Sequence, residues 1–124
     1  MLFRSAGAKA IQARGHITGY RWGFSFDDMV MTLGYAGPVV LGLNWYTGMM
    51  APDDDGYLRP TGRIEGGHCI CAFGVSVAKR RIILVNSWGL DWGHNGTCFI
   101  DFDDMERLLA EQGEQCIPVG RRRV

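Results

Sequence analysis

Residues 85–96 read VNSWGLDWGHNG, two Trp-Gly pairs set just behind an Asn-Ser. An indole in a loop calls for a surface to cover, and glycine marks backbone that a side chain would obstruct. Two readings compete. In one the stretch is a tight turn around a packed indole; in the other Asn86 orients a catalytic group. The other reactive side chains are His16, His68 and His94 and four cysteines, Cys69, Cys71, Cys98 and Cys116. No Cys-x-x-Cys is present, so zinc is only weakly signalled, no metal site is expected, and the thiols read as buried and free. The run Pro52-Asp53-Asp54-Asp55-Gly56 lacks the alternating ligands and distant Glu of a calcium loop and reads as a surface turn. His16 and His94 stand in no comparable pattern.

These groups need elements to position them. Residues 6–14 read as a short helix capped by Ser5 and stopped by Gly15. Residues 17–22 look extended. Ser25 with Asp28 three residues on opens a second helix, whose apolar face is Phe26, Met29, Val30 and Leu33. Gly34 and Gly37-Pro38 end it. Residues 39–45 read as a buried strand containing Trp45, which with Trp22 is assigned to the core. Residues 46–66 are irregular. Residues 68–77 and 82–85 form a hairpin, and residues 97–102 a further strand. Asp103 is placed as the cap of a last helix with Met105, Leu108 and Leu109 on one face and Gly113 at its end. Residues 116–119 close the chain as a strand. Helices first, then mostly antiparallel strands with one late helix, make an α+β domain.

With 124 residues, one domain over residues 1–124 is expected. Formal net charge is zero, which argues against nucleic acid or an acidic membrane surface as a partner. No apolar run approaches the ~20 residues of a membrane span. The first fifteen residues lack the apolar core of a signal peptide, which makes a cytoplasmic location the default expectation.

Three blocks then occur in order: GPVVLGLNW, GGHCICAFGV and ILVNSWGLDWGHNGTCFI. Together they resemble the second half of a papain-like cysteine peptidase. The resemblance covers roughly residues 37–100. It implies an antiparallel, half-barrel lobe with flanking helices, and a Cys-His-Asn peptidase that hydrolyses peptide bonds in peptides or proteins without a cofactor. In that family a thiol attacks as a thiolate, held by a neighbouring imidazolium that an amide oxygen orients. On this chain the residues matching that pattern are His68 and Asn86, 18 positions apart. They are expected within hydrogen-bond reach, with Trp88 over them and Trp92 lining the leaving-group side of the cleft. Gly67, Ser87 and Gly89 flank them, and Gly67 stands where Asp often precedes the His.

The nucleophile is missing. In the family it lies about 130–150 residues before the His, and none of the 67 residues preceding His68 is Cys. Cys69 and Cys71 differ from His68 by odd numbers and should face the other way on a regular strand. The expectation is therefore a fragment, inactive alone, whose Cys-bearing lobe comes from upstream or in trans. Residues 1–5, MLFRS, fit the following helix poorly and read as non-native. A surface around His68 and Trp92 should then form an apolar patch. The alternative is a non-catalytic papain-like binding or structural module, such as a virion component.

Overall fold

The computed structural model describes residues 9–120 apart from 11, 16 and 24. Its framework is one six-stranded antiparallel sheet: β1 (Gly19–Gly23), β2 (Val39–Tyr46), β3 (Ile64–Ser76), β4 (Arg81–Val85), β5 (Thr97–Asp101) and β6 (Glu114–Val119), in the order β1-β6-β2-β3-β4-β5. Helix α1 (Phe26–Tyr35) and helix α2 (Phe102–Ala110) cover its core face. The α+β expectation holds.

Alternation decides which side chains enter the core. Val39, Leu41, Leu43 and Trp45 of β2, Ile70 and Ala72 of β3, Ile82 and Leu84 of β4, and Cys98 and Ile100 of β5 are buried on one face. Met29 of α1 and Met105 and Leu108 of α2 close over them, with Phe26, Val30 and Leu33 packed at the margin. Each fully buried large side chain is worth about 1.5–3 kcal/mol of transfer free energy. The apolar faces expected of both helices are therefore the faces that pack.

Boundaries moved where local signals misled. Ser25 does cap α1, its Oγ accepting the Asp28 N–H at 3.0 Å, but Gly34 lies inside the helix, which ends only at Tyr35. Asp101, not Asp103, is the N-cap of α2; Asp103 sits in the first turn, where a carboxylate meets the positive end of the helix dipole. Strand β3 begins four residues earlier than expected, and β5 ends at Asp101. Part of the irregular stretch is ordered too: Thr47–Met49 is a 3-10 turn, and Tyr57 bridges Phe99, giving the β5 edge a short partner. Of the first expected helix, residues 9, 10, 12 and 13 are helical and Gly15 stops it at φ +81. Its cap, Ser5, and His16 lie outside the described residues, as do residues 1–5.

A β-bulge at Phe73 governs the rest of β3. Gly74 pairs with Ile83, yet Ala72 pairs with Leu84, so Phe73 is an extra residue. Beyond it, His68, Ile70 and Ala72 share the face of Ile82 and Leu84. A one-residue shift in a strand exchanges its two faces.

The acidic turn is a surface turn, as expected. Asp53 Oδ1 accepts the Asp55 and Tyr57 N–H groups, and Oδ2 meets Arg59, which also reaches Asp101. The Tyr57 N–H, then Arg59, holds the Asp53 carboxyl below its ordinary 3.8. Tyr46 and then Arg107 do the same to Glu111, ordinarily 4.5. A carboxyl depressed in the folded state contributes stability that is present above its unfolded value and lost as pH falls through the folded one. Denaturant titrations across pH should therefore show an acid limb that begins below pH 4.5, and Asp53→Asn should flatten its lower part. Asp104, raised mainly by burial, runs in the opposite sense, so Asp104→Asn should add stability at neutral pH.

Candidate active site

Asn86 follows β4 directly, on the same alternation as Ile82 and Leu84, and is 7% exposed. Its backbone N–H donates to the Gly96 carbonyl at 2.9 Å, which closes the 86–96 loop. His68 lies in β3 opposite Leu43. The bulge puts both side chains on one face, and His68 Nε2 lies 2.9 Å from Asn86 Oδ1. The Ser87 N–H donates to the same Oδ1 at 2.8 Å. That second donor identifies the atom as the amide oxygen, so the imidazole nitrogen facing it must carry the proton. Nδ1 is then the nitrogen with a free lone pair. An imidazole so held can accept a proton at one defined atom.

Three indoles stand around this pair. Trp88 lies over the imidazole with centroids 4.7 Å apart and planes inclined at 38°. Trp92 meets Trp88 edge-on at 5.8 Å, and its Nε1–H donates to the Met50 carbonyl at 2.8 Å. The sequence did not disclose Trp45's part. It is a core residue at 3% exposed, and its ring also lies 4.5 Å from His68 and 5.7 Å from Trp88. The signal was available in β2: Trp45 shares the face of Leu43, the residue opposite His68. Trp22 is not a core residue either; it is half-buried, packed edge-on against Tyr20. Two buried donors near the site, Trp45 Nε1 and Asn86 Nδ2, have no hydrogen-bond partner among the described residues. Such a group costs about 1–3 kcal/mol.

The remaining sequence candidates sit around this centre. Gly67 is exposed in β3 opposite Asn44. Ser87 is exposed and contributes its N–H. Gly89 has φ +99 and its carbonyl accepts the Trp92 N–H at 3.3 Å. His94 is exposed in the loop, bridged to Thr97.

All four cysteines are free. Cys98 and Cys116 are buried as expected, but Cys69 and Cys71 are only half-buried. Burial pushes the Cys98 thiol up to about 12, which leaves it protonated at neutral pH. Cys69 and Cys71 take the opposite face of β3 from His68, beside Val40, Val85 and Ser87, where they line a shallow depression on the outer surface of the sheet. Val85 and Phe73 are exposed there, while Trp88 (43% exposed) and Leu90 are exposed in the loop beyond β4. Among the described residues no cluster of three or more His, Cys, Asp or Glu side chains could hold a metal ion.

This architecture is that of the β-rich, C-terminal lobe of the papain-like cysteine proteases. No family model matches the chain, but solved structures align over most of it. Xylellain, a cysteine protease from Xylella fastidiosa, superposes with a TM-score of 0.70 at 21% identity, covering 86% of this chain and 41% of its own. Bromelain from Ananas comosus gives 0.64 at 19% identity over 85% and 51%. Procathepsin B S9 from Trypanosoma congolense gives 0.62 at 20% identity over 82% and 36%. By sequence, the cathepsin B-like protein CP3 of Giardia intestinalis is 30% identical over 78 residues, 60% of this chain. The chain spans 26% of the length of that curated relative.

Gly93 tests how tightly the loop is built. Its φ is +59, and a Cβ there would strike the Thr97 carbonyl oxygen. Gly93→Ala should lose about 2 kcal/mol or more in denaturant unfolding. It should also weaken the Trp92–Met50 bond, read as a change in indole N–H exchange.

Proposed function

We propose that this chain is the His/Asn-bearing lobe of a papain-like cysteine peptidase, acting on peptide or protein substrates with a cysteine carried by a second lobe. The observation that carries the reading is the 2.9 Å contact between His68 Nε2 and Asn86 Oδ1, with the amide oxygen fixed by Ser87. In this reading the Nε2–H donates to Asn86 and Nδ1 takes the proton of the incoming thiol. The thiolate attacks the peptide carbonyl carbon, and the imidazolium returns its proton to the departing amine. Water, deprotonated by the same nitrogen, then cleaves the thioester and releases the acid. Trp88 limits water around the imidazole, and Trp92 lines the leaving-group side.

The apolar strip of Val40, Cys69, Cys71 and Val85 runs up to Asn86 and Ser87 at the end of β4, and it supports a second lobe that covers this face and reaches round that edge to Nδ1. The alternative, a non-catalytic module that uses the same face to bind a partner, differs in one respect: it needs no thiol.

Two measurements separate these readings. The chain alone should show no turnover of peptidyl reporter substrates and should sediment as self-associated species through its apolar strip. Turnover that Cys69→Ala or Cys98→Ala abolishes would instead place the nucleophile within this chain. The coding sequence upstream of Met1 is the second measurement. A continuous frame specifying a helix-starting cysteine supports the peptidase, and the protein it encodes should lose about a thousandfold or more in kcat on His68→Ala. An in-frame stop directly before Met1, with a monomeric and inactive chain, supports the binding module.

A further inference from the structure

We propose that Trp45 is a positioning residue for the His68 imidazole, holding the ring orientation in which Nε2–H meets Asn86 and Nδ1 is left free; this rests on reading His68 as the proton carrier. The hydrogen bond to Asn86 fixes one atom of the imidazole, and a ring held at one atom can still swing about that contact. Two further supports close the motion. Trp88 lies over the ring at 4.7 Å, and Trp45 approaches it at 4.5 Å with planes inclined at 64°. The two indoles are themselves in contact at 5.7 Å. Rings that close together cannot stand on opposite faces of the imidazole, so they form a corner, and His68 is seated in it.

The two walls differ in kind. Trp88 is exposed and belongs to the loop, whereas Trp45 is buried in the strand that pairs with β3 directly. Trp45 is therefore the rigid wall, set by sheet register, against which Trp88 closes. Core filling alone gives a poor account of an indole at this position, because its Nε1–H is buried without a partner among the described residues. A phenyl ring would fill much of the space without stranding a donor. The feature that uses the indole is its contact with the imidazole.

The test uses the whole chain, with its histidines labelled for nitrogen NMR. In the wild type, His68 should be the Nε2–H tautomer with a slowly exchanging ring proton, and Trp45 ring protons should show Overhauser contacts to the His68 ring. Trp45→Leu should speed exchange of that proton by about tenfold and mix the tautomers, while amides of Ile70, Ala72 and Leu84 keep their protection. Trp45→Phe, whose smaller ring leaves part of that wall open, should restore protection only in part. Unchanged imidazole exchange in a folded Trp45→Leu chain overturns the proposal and leaves Trp45 a core residue. If that variant does not fold, missing Trp45–His68 Overhauser contacts in the wild type overturn it equally. Asn86→Ala distinguishes the two levels. Protection lost there but kept in Trp45→Leu sinks the role of Trp45 alone, whereas protection unaffected by Asn86→Ala sinks the His–Asn reading beneath it.

Discussion

One extra residue in a strand determines whether this site exists. Between Val75, opposite Ile82, and Ala72, opposite Leu84, β3 carries the bulged pair Phe73-Gly74 against the single residue Ile83. Were the pairing regular, Cys69 and Cys71 would share the face of Asn86 and His68 would point away from it. The bulge inverts that alternation, so the imidazole and the amide meet and the thiols are sent to the outer surface. Bulges often re-aim a side chain in this way beside an active site. Gly74 suits the position, since a Cβ there would come within 3.1 Å of Ile83.

Around that pairing the structure supplies support in layers of decreasing rigidity. Strand β2 provides Trp45 through direct register with β3. The loop after β4 provides Trp88, and the loop is in turn fastened by Asn86 to Gly96, by Trp92 to Met50 and by His94 to Thr97. The segment carrying Met50 is tied down by Arg59, which links the Asp53 turn to Asp101 at the end of β5. The ion pairs of Arg59 are partly exposed and individually weak. Their effect is on where the segment lies, because they join the longest irregular stretch to the sheet edge it borders.

The cysteines show how burial and facing divide reactive groups. Cys98 is in the core, and its raised pKa removes it from chemistry at neutral pH. Cys69 and Cys71 are more accessible but lie across the sheet from the imidazole. None of the three shares the surroundings of Nδ1, so in the proposed peptidase the attacking thiol belongs to another lobe. The same outer face that holds Cys69 and Cys71 carries apolar strand residues open to solvent, and this surface is where a second body would relieve exposed area.

Much of this protein was written in its sequence. Ser25, the spacing of Met29, Val30 and Leu33, and the Val-rich run from residue 39 specified elements locally, because capping and periodicity act over a few residues. The ordered blocks around His68 and Asn86 pointed to a candidate site for the same reason, each block being a local motif. Terminal residues of elements were less legible: Asp101 and Asp103 offer equivalent caps until the strand before them has an end. That His68 and Asn86 meet was legible in the ordered blocks; tertiary structure alone decided that Trp45 touches the imidazole and that a bulge, rather than regular pairing, brings His68 and Asn86 to one face. Each of these depends on strand register, and register is settled between residues far apart in the chain, where one bulged residue changes which side of the sheet a side chain occupies.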